Sequence, residues 1–492
     1  MPEVILAIDQ GTTGTTVMLI DTHLHVVGRG YQEIKQHYPR PGWVEHDPED
    51  IWVSVLQATR AALQAGRIAP EAIKGIGITN QRETAVVWDR SSASPYHRAV
   101  VWQCRRTAAI CEALMASGHE EMFRRKTGLV LDPYFSGTKL KWLLDHVTGL
   151  RDASKAGHAI AGTIDTYLVY RLTNGRSHVT DVSNASRTLL MDLETLQWDQ
   201  DLAAVLDIPL QMLPAIQGCT EIFGLTHNVP GLPDGIPICG IAGDQQAALF
   251  GQACYTAGEG KCTYGTGAFL LLNTGDRPIF SHNRLLTTVA WKLADETTYA
   301  LEGSAFIAGA AVQWLRDGLQ LIKQAQDIEG LAAEVEDTGG VTMVPSFVGL
   351  GAPYWRTEAR GLITGLTLGT QRGHLARAVL EGIALQNVAI LRAMESDSGQ
   401  SLQRLKVDGG ACANNLLMQM QADFLGCRIV RPQMVETTAL GAACLAGIGA
   451  GLWRNTDEVA AAWQEDRTFS PLIDEAQRAL IMRRWQAAVD KA

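Results

Sequence analysis

A Gly/Thr turn between two apolar runs occurs twice in the chain, and this repeat constrains the fold more than any other feature. The first copy is ILAIDQGTTGTTVMLID, residues 5 to 21. VILAID reads as a buried strand ending at Asp9, and TVMLID as a second, β-branched strand. Gly11 and Gly14 permit the tight turn between them. HLHVVGRG reads as a third strand, so the N-terminus is expected to be a β-meander. The second copy is CTYGTGAFLLLNTG, residues 262 to 275, where Thr263, Gly265, Thr266 and Gly267 lead into the strand FLLLN. The copies lie about half a chain apart, which implies two similar domains, each offering a loop of backbone N–H and hydroxyl donors. Two such loops facing across a cleft suit a triphosphate.

A Walker A loop is not present. Its only near-miss, YTAGEGKC at 255 to 262, has Tyr255 where the first Gly belongs and Cys262 where Ser or Thr belongs. A third Gly turn occurs in LKVDGGACANNLLMQMQADFLG, residues 405 to 426. There the strand LKVD meets Gly409 and Gly410, a helix follows, and Gly426 ends it. Such a corner lets an anion approach a helix N-terminus.

Carboxylates lie between the turns. Asp244, in GIAGDQQAALFG, sits where a helix begins, and on the residues alone a simple N-cap is the favoured reading. Arg82 and Glu83, in GITNQRETAVVWD, fall between two strands. A solvated hairpin tip and a polar ligand site are equally compatible with them. HDPEDIW is a helix start, with Asp47 as cap and Pro48 in the first helical position. His23 and His25 read as a wet turn rather than a metal site.

With 492 residues the chain has room for two or more cores. The net charge of −10 argues against a nucleic-acid partner. Nine Cys without a C-x-x-C pair point to a reducing compartment rather than to disulfides or structural zinc. No signal peptide is evident. The apolar stretch ALGAACLAGIGAGLW, residues 439 to 453, is shorter than the ~20 residues of a membrane span. Its Gly and Ala content predicts a buried helix packed close to another backbone.

The motifs DQGTT, YPRPGWVEHDPEDIW, GITNQRET, VVWQCRRT, TGLVLDPYFSGTK, TDVSNASRT, AGDQQAALFGQ, YGTGAF, LEGSAFIAGAAVQWLRD, GLGAPYW and VDGGACANN follow one another along nearly the whole chain. Together they resemble the FGGY carbohydrate kinases, and among these the members that phosphorylate glycerol. The resemblance implies an α/β fold of two ribonuclease H-like domains, related to actin and hexokinase, with the catalytic cleft between them. The boundary is expected in GQACYTAGEG, giving domains of residues 1–251 and 252–492, with the last helices able to pack back across the join.

The resemblance also implies site residues. Asp244 matches the catalytic base, and Arg82, Glu83, Tyr134, Asp244 and Gln245 match positions that hold the hydroxyls of glycerol. Each hydroxyl wants a donor and an acceptor, which these side chains supply. Trp102 and Phe269 match aromatic positions against the C–H edge of the triol. Thr12, Thr13 and Gly14 match the first phosphate turn and Thr266 the second, while Gly309, Gln313, Gly410 and Asn414 match positions near ribose and adenine. Asp9 matches an acid near Mg²⁺, which keeps several waters and needs only one or two carboxylates. The implied reaction is transfer of the ATP γ-phosphoryl to glycerol, giving sn-glycerol 3-phosphate, by a cytoplasmic homo-oligomer, dimer or tetramer.

The chain departs from the family pattern at three places. The family commonly has TTSSR after DQG, whereas Thr16 stands here in place of its Arg, which puts nucleotide affinity in question. Arg356, Thr357 and Glu358 replace an Asp-Pro after GLGAPYW. Leu232-Pro233-Asp234-Gly235 lacks the Arg of the loop through which some bacterial members bind fructose 1,6-bisphosphate, so that inhibition is not expected. Two other readings stay open at this level: a kinase for another small polyol or sugar, and an actin-like ATP switch without sugar chemistry.

Overall fold

The computed structural model describes residues 3–356 and 358–492. Its first half opens with the expected meander: β1 (Val4–Gln10), β2 (Gly14–Asp21) and β3 (Val26–Glu33). His23 and His25 are exposed in the turn before β3, beside Asp21. Helix α1 (Pro48–Gly66) is capped by Asp47, whose side chain accepts from the Glu49 N–H. It lies on β2 and β3, where Gly28 and Gly30 give its backbone room: a Cβ at Gly30 would sit 2.1 Å from Ala58 O. Strands β4 (Ile73–Asn80), β5 (Gly224–Leu225) and β6 (Pro237–Gly243) complete a six-stranded sheet of order β5-β6-β4-β1-β2-β3. Helix α2 (Asp244–Gly251) leaves the end of β6.

The second half repeats this plan. Strands β7 (Gly260–Tyr264), β8 (Ala268–Gly275), β9 (Leu286–Leu293), β10 (Glu296–Ala305), β11 (Arg404–Asp408), β12 (Arg428–Pro432) and β13 (Glu465–Phe469) form a sheet of order β9-β10-β8-β7-β11-β12-β13. Its central pairings have the same senses as those of the first sheet. β7 is antiparallel to β8 and parallel to β11, as β1 is to β2 and β4. The two Gly/Thr turns therefore occupy equivalent positions, joining β1 to β2 and β7 to β8. The helices of this half include α3 (Gly309–Gln313), α4 (Arg372–Ser398), α5 (Asn415–Leu425) and α6 (Thr437–Gly449).

The stretch 439–453 behaves as its composition predicts. α6 packs on α2 and on β4 and β6 of the first sheet, backbone against backbone. A Cβ at Gly441 would lie 1.8 Å from Ala247 O, and one at Gly251 would lie 2.2 Å from Thr437 O. Gly77 and Gly240 meet Ala442 and Ala446 of α6 at 2.2 Å in the same way. A continuous apolar cluster runs from Ile5 and Ala7 through Ala247 and Phe250 to Leu271, Ala439 and Ala443, so one core spans both halves. All nine cysteines are free thiols. Among the described residues no helix is long and apolar enough to cross a membrane. Thr357 lies outside the described residues, but its neighbour Arg356 ties this loop to the C-terminus by donating to Val489 O at 2.7 Å.

Candidate active site

The ends of β1, β4 and β6 in the first sheet converge with residues of β7 and β10 in the second on one polar cluster. Arg82 and Glu83 follow β4. They are not a solvated hairpin tip, because the strand after them, Val86–Asp89, pairs with Ala159–Gly162 rather than with β4. Both are buried, at 2% and 1% exposure. A buried charge needs a partner, and the principal one comes from the other half. Arg82 donates to Glu302 of β10 through Nη1 at 2.5 Å and Nη2 at 3.0 Å. Arg187 donates to Glu83 at 2.7 Å and to Glu302 at 2.9 Å. Two arginines and two acids thus balance one another out of water.

The acids do not respond alike. Burial lifts the Glu83 carboxyl above its usual range and outweighs Arg82 and Arg187. For Glu302 burial also opposes ionisation, but Arg187 and Arg82 overcome it and hold the group down to about 2. Arg82 in turn keeps its proton firmly: burial works against its charge, and Glu302 and Glu83 more than offset this.

Asp244 stands over this cluster. It is the first residue of α2, and Gly243, not Asp244, is the N-cap. Its carboxylate accepts from the first-turn Gln245 N–H at 2.8 Å and pairs with Arg82, whose Nε lies 3.0 Å away. Both contacts fall on Oδ1, and no hydrogen bond from the described residues reaches Oδ2. The side chain is 31% exposed, so it is open to a ligand. Gln245 beside it is anchored by Lys261 of β7, which donates to its Oε1 at 2.5 Å.

An aromatic wall faces these polar groups. Trp102 meets Tyr134 edge-on with centroids 5.6 Å apart, and Phe269 of β8 with centroids 6.4 Å apart. Arg82 donates to the Tyr134 hydroxyl at 3.2 Å, and Trp102 Nε1 donates to Thr12 Oγ1 at 2.9 Å. The last contact joins the aromatic wall to the first Gly/Thr turn. That turn is closed by Gly11 N–H to Gly14 O at 2.9 Å and braced from below. Gln36 donates to Thr12 O at 2.6 Å, Gln81 to Gly11 O at 3.2 Å, and His46 lies between both glutamines. Burial pushes His46 down to about 4, so it is neutral at pH 7. Thr13 at the tip of the turn is exposed.

The second turn is seated on α3. Ala308 and Ala310 donate to Thr266 O, and Gly309 donates to Gly265 O at 3.0 Å, where a Cβ would crowd that oxygen at 2.7 Å. Thr266 and Gln313 are both exposed. Thr263 is in register with Asp408, and a Cβ at Gly409 would lie 2.5 Å from Tyr264 O, so the Gly409-Gly410 corner sits beside this turn. Gly409 makes the corner at φ 84°, and Asn414 caps α5 by accepting from Leu417 N–H at 2.8 Å. The residues expected to hold the nucleotide thus fall into two groups, one near each Gly/Thr turn.

Asp9, the acid matched to a metal-holding position, lies near the end of β1. Burial first, then the negative charges of Asp244 and Glu436, push its carboxyl up to about 7. No group of three or more His, Cys, Asp or Glu is poised to hold a metal among the described residues. A hydrated Mg²⁺ bridging phosphate oxygens does not require one, so the acids present fit it.

Sequence reasoning missed Glu302, Arg187 and Lys261. A signal for Glu302 was available: it is a lone acid between Leu301 and Gly303 in the otherwise apolar centre of a strand.

The chain is similar to proteins of one kind over its whole length. Residues 4–251 match the model of the FGGY family of carbohydrate kinases, N-terminal domain, and residues 260–450 that of the C-terminal domain. It is 56% identical to a glycerol kinase of Myxococcus xanthus over 99% of each chain. It is 54% identical to one of Carboxydothermus hydrogenoformans, over 99% of this chain and 98% of that one. Its structure superposes on that of Plasmodium falciparum glycerol kinase with ADP at a TM-score of 0.94 and 38% identity, covering 100% of this chain and 98% of the other. The fold is thus the two-domain, actin- and hexokinase-like ATPase fold of these kinases. Two matched domain models and full-length similarity place the chain in the FGGY family of carbohydrate kinases.

Proposed function

We propose that this chain transfers the γ-phosphoryl group of ATP to a terminal hydroxyl of glycerol, with Asp244 as general base, residues 1–251 carrying the acceptor and residues 252–492 most of the nucleotide. The observation that carries the reading is the Asp244 carboxylate, half-open to the cleft, with Oδ1 held by Arg82 and the Gln245 N–H. Oδ2 is left to accept the proton of the attacking hydroxyl. The similarity to glycerol kinases supports the choice of acceptor.

In this reading Arg82, Glu83, Tyr134 and Gln245 bind the hydroxyls of glycerol, and Trp102 and Phe269 cover its C–H edge. A compound lacking one hydroxyl would leave buried polar groups unpaired and be rejected. Thr12, Thr13 and Gly14 hold phosphate oxygens from one side and Thr266 from the other. Gly309, Gln313, Gly410 and Asn414 line the nucleoside end. As the hydroxyl oxygen bonds to the γ-phosphorus, its proton passes to Asp244 and ADP leaves. Such a base contributes about 10²- to 10⁴-fold in rate. Asp9 would hold Mg²⁺ through water, and the ion would offset phosphate charge.

The test is ADP release by wild type and Asp244→Asn, with and without glycerol and with a panel of other polyols. Glycerol-stimulated release in wild type, lowered at least about 10²-fold in the variant, is expected. Equal release in all four conditions would remove the assignment, and stimulation by another polyol alone would reassign the acceptor.

A further inference from the structure

Arg82 and Gln245 belong to the first half of the chain, yet each is gripped by a buried charged side chain from the second. Glu302 of β10 is 1% exposed and uses both carboxylate oxygens on Arg82. Lys261 of β7 is fully buried and divides its donors between Gln245 Oε1 and Thr263 Oγ1, the latter at 2.7 Å. Ions this deep cost much of their mutual attraction in lost hydration, and packed apolar residues could join two sheets as well. What such contacts supply is direction. A guanidinium held at both terminal nitrogens cannot swing, so its charge stays in one place. An amide whose oxygen is taken by an ammonium must turn its Nε2 hydrogens the other way.

We propose that Glu302 and Lys261 are positioning residues for the acceptor. Glu302 fixes the plane of Arg82, and with it the place of the positive charge that pairs with Asp244, whose Oδ1 lies 3.0 Å from Nε, and Lys261 fixes Gln245 as a donor to an acceptor hydroxyl. The polyol pocket is then a joint product of the two sheets, although the side chains that would touch the polyol come mainly from the first. The inference rests on the acceptor site described under the proposed function.

The test varies glycerol and ATP separately in assays of ADP release by the full chain, using wild type, Glu302→Gln, Glu302→Asp and Lys261→Met. Ångström-scale misplacement of a positioned group costs up to about 10²-fold. A rise in glycerol KM of about tenfold or more is therefore expected for Glu302→Gln and Lys261→Met, with ATP KM held within about twofold. Glu302→Asp keeps the charge and shortens the reach by one methylene. It should recover part of the loss, and it carries the test if Glu302→Gln does not fold. A folded variant with wild-type glycerol KM overturns the proposal, as does a parallel rise of both KM values, which would mark general loosening. Wild type that turns over no glycerol overturns the functional reading and this proposal with it. Wild-type turnover with unmoved variants overturns this proposal alone.

Discussion

Burial first, then the charges of Asp244 and Glu436, makes ionisation of Asp9 costly in the folded chain. Asp9 is the cross-strand partner of Thr16, so the two side chains share a face of the sheet with Cβ atoms roughly 4.5–5.5 Å apart. An arginine at this position would stand beside the acid, and Thr16 gives it only a hydroxyl. The consequence for stability has a definite sign. Between about pH 4 and about 7 the folded Asp9 keeps a proton that the unfolded chain has released, so stability falls as pH rises through that window. Thr16→Arg should return this loss. Its melting temperature without ligand is expected to exceed wild type at pH 8 and to match it near pH 4, as read by calorimetry. The same guanidinium adds a donor near the first phosphate turn, and ATP KM should fall severalfold. An unchanged ATP KM would mean that residue 16 does not reach the nucleotide.

At the scale of elements, α2 and α6 cross where Gly441 and Gly251 allow peptide groups to touch. Gly441→Ala would place its methyl 1.8 Å from Ala247 O, against backbone that cannot rotate away. It should destabilise the protein by about 1–3 kcal/mol or more. Gly330→Ala, in the helix Asp327–Ala333 with nothing within 4 Å, is the control and should be neutral or up to about 1 kcal/mol stabilising. Equal effects in denaturant unfolding would show that the crossing tolerates displacement. The sequence made this helix legible through its small residues, but not its partner, because the contact joins residues almost two hundred positions apart. The same limit governs the site. The Gly/Thr turns were legible because their chemistry is local. Arg82 and Glu83 could be read equally well as a wet tip, since their burial depends on Glu302, 220 residues beyond Arg82. Asp244 resembled a cap for the same reason: only the folded Arg82 shows what its carboxylate faces.

At the scale of the molecule, the duplication puts one Gly/Thr turn on each sheet, with the proposed polyol pocket between them. ATP phosphates placed as proposed, spanning both turns, would contact β1–β2 of the first sheet and β7–β8 of the second. In the proposed reading glycerol would lie against the wall formed by Trp102, Tyr134 and Phe269, the last of these from the second sheet. Each ligand therefore makes more contacts when the sheets approach, and only such differential contact can shift a protein towards its closed form. Closure also excludes water, which would otherwise take the phosphoryl group. Small-angle scattering should show a smaller radius of gyration with glycerol, Mg²⁺ and a non-hydrolysable ATP analogue together than with any one alone. Hydrolysis of ATP without glycerol should be far slower than transfer. If scattering stays unchanged with all ligands bound while transfer proceeds, the sheets work at fixed separation, and water must be kept out by the polyol filling its pocket.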